Sequence, residues 1–225
     1  MALRVEILPD EDAVAERGAE YVAQQARRAV ADRAEFALAV SGGRTPRAMF
    51  ARLADELPWE KVTIYQVDER VAPEGHTDRN LTRLRARLPA EAQANVRPMP
   101  VEASDLETAA ADYARSLPDR FDLVHLGLGT DGHTASLVPG DPALEIRDRD
   151  VAITGEYMGR RRMTLTFPAL DRAHQVLWLV TGEDKADALR RLRVGDRSIP
   201  AGRVSTANAL ILADAAAASP SRRRA

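Results

Sequence analysis

The clearest indication of the fold comes from the stretch of residues 121–133, Phe121-Asp-Leu-Val-His-Leu-Gly-Leu-Gly-Thr-Asp-Gly-His133. Its first half, residues 121–126, is a mostly apolar run of the kind that forms strands buried on both faces of a sheet. A glycine-rich loop follows and carries Asp131 and His133. In parallel α/β sheets, ligands bind beside loops at the carboxyl ends of the strands. The stretch therefore predicts a buried parallel strand that delivers two titratable side chains to a ligand site.

Strand and helix patterns alternate along the rest of the chain. Short apolar runs predict strands, and apolar residues at helical spacing predict helices. The other expected strands are residues 3–8, 36–40, 62–67, 162–167, 176–180 and 209–212. The expected helices are residues 11–33, a segment from about Pro46, 80–88, 104–117 and 183–193. This alternation predicts a doubly wound α/β fold, with a mostly parallel sheet and helices on both faces.

Composition limits the class of protein. The chain has 225 residues, and we expect a single α/β domain over residues 1–218 followed by a frayed basic tail over residues 219–225. The absence of cysteine excludes disulfides, thiolate catalysis and cysteine-ligated metals. A net charge of −2 gives no general attraction to nucleic acid or to an acidic membrane. No pattern of a secretory leader or a membrane span is present, so a cytoplasmic monomer or small homo-oligomer is expected.

The segment Ser41-Gly-Gly-Arg-Thr-Pro46 joins an expected strand to an expected helix. Two glycines let the backbone approach an anion, and Thr45 can cap a helix whose first residue is Pro46. Amides and the dipole at a helix start favour a phosphate. The spacing and the final Lys-Ser/Thr pair of a Walker A loop are missing, so a monophosphate is expected rather than a triphosphate with magnesium. A plain tight turn before a capped helix explains the same residues.

The loop Gly127-Leu-Gly-Thr-Asp-Gly132 also has the spacing of a dinucleotide-binding turn, with Asp150 or Glu156 as the ribose partner. That interpretation requires a long crossover helix directly after the loop. Pro139 and Pro142 would end such a helix within about two turns. We therefore reject a dinucleotide cofactor.

Proton transfer by a histidine is the remaining interpretation of the loop. An imidazole with an ordinary pKa near ~6.5 can take a proton from water, which makes His133 a candidate base. Asp131 can orient the imidazole, or it can simply stabilise the loop as an Asx turn. His125 lies inside the buried strand, where a hydrogen-bonded core residue is expected. His76 and His174 lie in polar loop contexts with no other signal.

Five motifs resemble those of the 6-phosphogluconolactonases, occur in the same order and span nearly the whole chain. They are Ser41-Gly-Gly-Arg-Thr-Pro46, Val67-Asp-Glu-Arg-Val-Ala-Pro73, Leu126-Gly-Leu-Gly-Thr-Asp-Gly-His-Thr-Ala-Ser-Leu-Val-Pro-Gly140, Arg162-Met-Thr-Leu-Thr166 and Thr181-Gly-Glu-Asp-Lys-Ala186. The sequence is also similar to the glucosamine-6-phosphate deaminases, which share the lactonase fold. The resemblance implies a Rossmann-like, deaminase-type sheet. It also implies hydrolysis of 6-phospho-D-glucono-1,5-lactone to 6-phosphogluconate, in the pentose phosphate pathway, without a metal or a cofactor.

The resemblance also implies roles for individual residues. His133 would activate water, with Asp131 beside it. The substrate phosphate would rest on the loop and on nearby cations, while Asp68 would hold sugar hydroxyls or the loop itself. The expected substrate-binding residues are Ser41, Gly42, Gly43, Arg44, Thr45, Asp68, Arg70, Arg162 and Lys185. Lys185 stands out because only two of the 32 basic residues are lysines.

Some residues depart from the family patterns, and other functions stay open. The deaminases have a ring-opening glutamate five positions after the histidine, but this chain has Val138, which disfavours deamination or isomerisation. Arg79 replaces the serine that commonly precedes Asn80 in the lactonases, and this change is expected to alter a loop beside the site. A non-catalytic sugar-phosphate sensor is a further alternative. A serine hydrolase acting through Ser41 or Ser136 is disfavoured, because neither lies in a G-x-S-x-G elbow.

Overall fold

The computed structural model describes residues 3–53 and 56–219. The expected basic tail falls almost entirely at residues 220–225, outside the described residues. The strands are β1 Arg4–Leu8, β2 Phe36–Val40, β3 Val62–Gln66, β4 Asp68–Arg70, β5 Val96–Arg97, β6 Leu123–Gly127, β7 Val151–Ile153, β8 Arg162–Leu165, β9 Gln175–Val180 and β10 Ala209–Asp214. The helices are α1 Glu11–Arg33, α2 Arg44–Arg52, α3 Asn80–Arg85, α4 Ala90–Gln93, α5 Leu106–Arg115, α6 Phe167–Asp171, α7 Ala186–Arg193 and α8 Ala215–Ala218. Within this described part of the chain, no helix is long and apolar enough to cross a membrane.

The main sheet has seven parallel strands in the order β1-β10-β9-β6-β2-β3-β5. This confirms the expected doubly wound fold. A second, antiparallel sheet in the order β4-β8-β7 was not expected from the sequence. It arises because the chain breaks away from β3 at Val67, whose amide bonds Val40 and whose carbonyl accepts from Leu165. The expected single strand over residues 62–67 therefore ends at Gln66, and a short strand on the second sheet follows.

Helices cover both faces of the main sheet, as the sequence predicts. Successive side chains of a strand point to opposite faces, so Leu123 and Val124 belong to two different apolar clusters. One cluster packs against α1 and α2, and the other against α5 and α7. The long helix α1 has the bounds that the periodicity predicts. Asp10 caps it by accepting from the amide of Ala13 at 2.9 Å.

The start of α2 differs from the expectation. Gly43 precedes the helix with φ of 137°, a conformation that favours glycine, and the helix begins at Arg44. Thr45 is therefore its second residue and does not cap it, and Pro46 is not its first residue. The Thr45 hydroxyl instead contacts Glu11 Oε1 at 3.2 Å and the Thr181 hydroxyl at 2.8 Å.

The strand order reverses direction between β2 and β6. From β2 the chain continues to β3 on one side, whereas from β6 it continues to β9 on the other side. The loops that leave these two neighbouring strands diverge and open a crevice at the carboxyl edge of the sheet. Such a switch point is where open α/β sheets bind ligands.

Candidate active site

A cleft of about 330 Å³ opens at this switch point. That volume falls within the range of about 300–1,000 Å³ that is typical of small-molecule sites. Most of the residues expected to act there line it: Ser41, Gly42, Gly43, Thr45, Asp68, Arg70, His133, Arg162 and Lys185. Asp131 lies behind His133, and the backbone of Arg44 begins α2 beside the glycine loop.

His133 and Asp131 form a bonded pair at the rim of the cleft. The imidazole Nδ1 lies 2.6 Å from Oδ1 of Asp131, and the His133 amide donates to the same oxygen at 3.1 Å. If Nδ1 carries the proton in this bond, the lone pair of the neutral ring is on Nε2. Gly129 leaves room for the pair, because a Cβ there would lie 2.1 Å from His133 Nδ1.

Tyr157 completes this arrangement and was missed at the level of sequence. Its hydroxyl donates to the second oxygen of Asp131 at 3.2 Å, and its ring meets the His133 ring edge-on with centroids 5.5 Å apart. Burial opposes ionisation of Asp131, but the bonds from His133 and Tyr157 outweigh it and lower the pKa of Asp131. The carboxylate is thus held in its charged form beside the imidazole.

The glycine loop after β2 is held from below by His125. The amide of Ser41 donates to His125 Nδ1 at 3.3 Å, and the Ser41 hydroxyl donates to the His125 carbonyl at 3.1 Å. The expectation of a hydrogen-bonded core histidine is therefore met at only one ring nitrogen. Nε2 has no hydrogen-bond partner among the described residues. Burial of the whole ring lowers the pKa of His125 to about 3, so the ring is neutral at physiological pH.

Asp68 ties three segments together beneath the cleft. It is 4% exposed, and its Oδ2 accepts from the Ser136 hydroxyl at 2.6 Å while Oδ1 accepts from the Asn80 amide group at 3.2 Å. The Ser136 hydroxyl is therefore bonded to a carboxylate and the Ser41 hydroxyl to a carbonyl. Neither serine has the histidine-activated hydroxyl that a serine hydrolase needs.

Two arginines lie side by side on adjacent strands of the antiparallel sheet. Arg70 of β4 pairs in register with Arg162 of β8, and both line the cleft. Burial, followed by the neighbouring charge of Arg70, lowers the pKa of Arg162. The Nε atoms of both side chains are buried and have no hydrogen-bond partner among the described residues. Two cations held together in this way favour an anion between or beside them.

The loop after β9 brings Lys185 to the opposite wall. Asp214 holds this loop, because both of its carboxylate oxygens accept from the amide of Gly182 at 3.1 Å. The contact between Thr181 and Thr45 joins it to the start of α2. Lys185 itself is 24% exposed, with its Nζ 3.4 Å from Asp184. The ammonium of Lys185 therefore lines the same cleft as the glycine loop that was expected to bind phosphate.

Arg79, the departure noted in the sequence, does not line the cleft. Its side chain is 3% exposed and lies 3.6 Å from Glu69 and 3.0 Å from Glu102. Glu69 is fully buried and accepts from the amides of Asn80 and Leu81 at the start of α3. Arg79 therefore supports the segment that carries Asn80 rather than presenting a new contact to a ligand.

Sequence reasoning also passed over Asn80 and Arg83, which line the cleft from α3. Both residues lie on α3, which follows β4 of the second sheet. No local pattern in the sequence predicted that sheet. Tyr157 had a weak signal. It opens Tyr157-Met-Gly-Arg160, a glycine-containing turn directly before a predicted strand.

Known proteins resemble this chain over most of its length. Residues 9–212 match a family model described as glucosamine-6-phosphate isomerases/6-phosphogluconolactonase. A 6-phosphogluconolactonase from Synechocystis sp. is 37% identical over 203 residues, which cover 84% of this chain and 84% of the relative. The structure of a 6-phosphogluconolactonase from Thermotoga maritima matches with a TM-score of 0.83 at 27% identity, covering 94% of this chain and 98% of that one. A monomeric glucosamine-6-phosphate deaminase shares the fold, with a TM-score of 0.85 at 19% identity over 98% of this chain and 100% of that one.

His125 is expected to make folding sensitive to acid. The unfolded chain protonates this histidine near its ordinary pKa of ~6.5, whereas the folded chain resists protonation down to about pH 3. Stability is therefore lost as the pH falls through this window. Between pH 7 and pH 5, the wild type should lose about 2 kcal/mol more unfolding free energy than His125→Gln, which keeps an acceptor for Ser41 and does not titrate. Urea unfolding at both pH values measures the difference; equal losses in the two proteins would contradict the assignment.

Proposed function

This chain belongs to the glucosamine-6-phosphate isomerase/6-phosphogluconolactonase family, and from that premise we propose that it hydrolyses 6-phospho-D-glucono-1,5-lactone to 6-phosphogluconate. The observation that supports this most is the meeting of two features in one cleft. An imidazole backed by a carboxylate stands on one loop, and a glycine loop at a helix start, flanked by cations, stands on the next. The first suits activation of water, and the second suits a phosphate on the same small molecule.

The proposed reaction needs no covalent intermediate, because a δ-lactone is already an activated ester. Nε2 of His133 takes a proton from water as the water oxygen attacks the ring carbonyl carbon. The resulting tetrahedral intermediate collapses with cleavage of the bond between that carbon and the ring oxygen. The imidazolium returns its proton to the departing ring oxygen, which becomes a hydroxyl group. Water is thereby added across one bond, and His133 ends in its starting form.

Asp131 supports both protonation states of the base. Its bond to Nδ1 keeps the neutral ring in the tautomer that exposes the Nε2 lone pair. When the ring gains a proton, the adjacent carboxylate stabilises the added positive charge. Because the pKa of Asp131 is lowered, this charge is available throughout the pH range in which a histidine base works.

The phosphate is proposed to sit at the glycine loop, in the same cleft as the base. The backbone of Gly42, Gly43 and Arg44 would receive it at the start of α2, where the helix dipole favours an anion. Lys185 and Arg162 would supply positive charge from the neighbouring walls. Anchoring the far end of the substrate fixes the carbonyl relative to the base, which converts binding energy into orientation.

Deamination or isomerisation is not favoured by this cleft. The deaminases that this sequence resembles have a ring-opening glutamate at the position of Val138. Val138 is 6% exposed and has no titratable group. Of the carboxylates that line the cleft, Asp68 already accepts hydrogen bonds at both oxygens, and Asp184 lies 3.4 Å from the ammonium of Lys185. The proposal therefore places proton transfer on His133 alone.

The first test is loss of the proposed base. The lactone is generated in situ from glucose 6-phosphate, and 6-phosphogluconate is then followed with a coupled dehydrogenase, with a no-enzyme blank for spontaneous hydrolysis. His133→Ala should lower kcat by at least about 100-fold, because general-base assistance is removed. His174→Ala, at the opposite end of the sheet before β9, is the matched control. Its kcat should stay within twofold of the wild-type value. A wild-type rate equal to the blank would contradict the proposed function, and an active His133→Ala would contradict the proposed base.

The second test concerns the phosphate anchor and uses the only two lysines of the chain. Lys185→Ala should raise KM for the phosphorylated lactone by about 10- to 100-fold, since a charged hydrogen bond to the substrate is lost. Lys61→Ala removes an exposed lysine just before β3, at the end of the sheet away from the cleft. It should leave both kcat and KM unchanged. Equal KM values for the two variants would exclude Lys185 from the anchor.

A further inference from the structure

We infer that Tyr157 is a positioning residue for the histidine base: its hydroxyl fixes Asp131, which fixes the imidazole of His133. The inference rests on the proposed function, because it assigns a role within that same site. Asp131 has two carboxylate oxygens, and His133 occupies only Oδ1. Among the residues that the structure describes, Tyr157 donates a hydrogen bond to Oδ2, at 3.2 Å. With both oxygens held, the carboxylate has little freedom to rotate about its side chain.

Tyr157 also contacts the imidazole directly. Its ring stands at 65° to the His133 ring, in an edge-to-face arrangement with centroids 5.5 Å apart. Such a contact limits tilting of the imidazole in the direction that the bond to Asp131 does not control. The pKa of Tyr157 is raised, first by burial and then by the charge of Asp131, so its hydroxyl remains a donor. The charged groups that act on this hydroxyl are Asp131 and Arg162.

The backbone around Tyr157 is fixed, which a positioning residue requires. Tyr157 and Arg160 exchange two backbone hydrogen bonds, at 3.0 and 3.4 Å, and close a tight turn through Met158 and Gly159, both with positive φ. Arg160 ties this turn to the loop before α3 by an ion pair of 3.2 Å with Asp78. The turn is therefore closed by its own hydrogen bonds and linked to the loop before α3.

Tyr157 further links the base to a cation of the proposed phosphate site. Arg162 donates to the Tyr157 carbonyl at 3.2 Å, and its guanidinium lies 5.0 Å from the centre of the Tyr157 ring. Loss of the hydroxyl and loss of the ring should therefore have different consequences. Tyr157→Phe keeps the ring and the carbonyl but frees Asp131, whereas Tyr157→Ala also removes the surface beneath Arg162.

Steady-state kinetics of these two variants test whether the hydroxyl and the ring of Tyr157 have separate roles. Tyr157→Phe should lower kcat by about five- to tenfold with KM within twofold of wild type, because the lost hydrogen bond acts on the base only through Asp131 and so contributes only part of its energy. Tyr157→Ala should lower kcat similarly and also raise KM. Tyr21→Phe is the matched control. It removes a 2.9 Å bond from another tyrosine hydroxyl to Gln175, at the far end of the sheet, and should leave both constants unchanged.

A double-mutant cycle with Asp131→Asn asks whether Tyr157 acts through Asp131. In that background Tyr157→Phe should change kcat by less than twofold, since there is no carboxylate left to hold. If the full five- to tenfold loss persists there, or if Tyr157→Phe alone keeps the wild-type kcat, the inference is overturned. If Asp131→Asn hydrolyses the lactone no faster than the no-enzyme blank, the cycle cannot be read. The effects of Tyr157→Phe alone on kcat and KM then decide whether Tyr157 positions the base.

A measurement without turnover separates this inference from the proposed function. Imidazole ¹⁵N chemical shifts, with His133 assigned by comparison with His133→Asn, report which ring nitrogen carries the proton. The wild type should show the Nδ1–H tautomer, and Tyr157→Phe should show a mixture of tautomers or a broadened signal. An unchanged His133 signal in Tyr157→Phe would overturn the positioning role, whatever the wild-type protein hydrolyses. A wild-type rate equal to the blank, with the expected change in the spectrum, would overturn only the proposed reaction.

Discussion

The pairing of β2 with β6 is the constraint on which the site depends. Val40 and His125 lie opposite each other in this parallel pair, so the chain leaves both strands at the same edge and almost the same height. The glycine loop follows one strand, and the loop that carries His133 follows the other. Because the strand order reverses at this pair, the two loops diverge and leave a cleft between them. His125 then reinforces the pairing through its bonds with Ser41.

A layer of buried polar groups carries the residues that face the cleft. Asp68 and Glu69 are almost fully buried, and each accepts several hydrogen bonds from the segments around it. A buried carboxylate without partners would be very costly, so these bonds restrict the segments to one arrangement. Asn80 is held in this way and in turn accepts from Arg70 at 2.8 Å. The chemistry proposed for the site thus depends on two buried carboxylates that hold the segments lining the cleft.

Local patterns in the sequence predicted the helices and strands of the main sheet. Contacts between segments that lie far apart in the chain were not predicted. The helix over residues 11–33 and the strand over residues 36–40 have the predicted bounds, since each buries a regular apolar pattern. The predicted site residues on the loops after β2, β6 and β9 meet in one cleft because these parallel strands end at one edge. The pairing of Arg70 with Arg162 was not predictable, because the second sheet forms between segments about 90 residues apart. The contact of Tyr157 with Asp131 joins two loops 26 residues apart and was missed because no local pattern indicates it.

The most direct measurement compares kcat/KM of the wild-type protein for 6-phosphogluconolactone and for unphosphorylated gluconolactone under identical conditions. We propose that the glycine loop and the cations hold a phosphate so that the lactone carbonyl is oriented toward His133. Anchoring of this kind predicts a preference for the phosphorylated lactone of at least about 100-fold, expressed in kcat as well as in KM. Equal values of kcat/KM for the two lactones would exclude phosphate anchoring, because hydrolysis would then not depend on the phosphate end of the cleft.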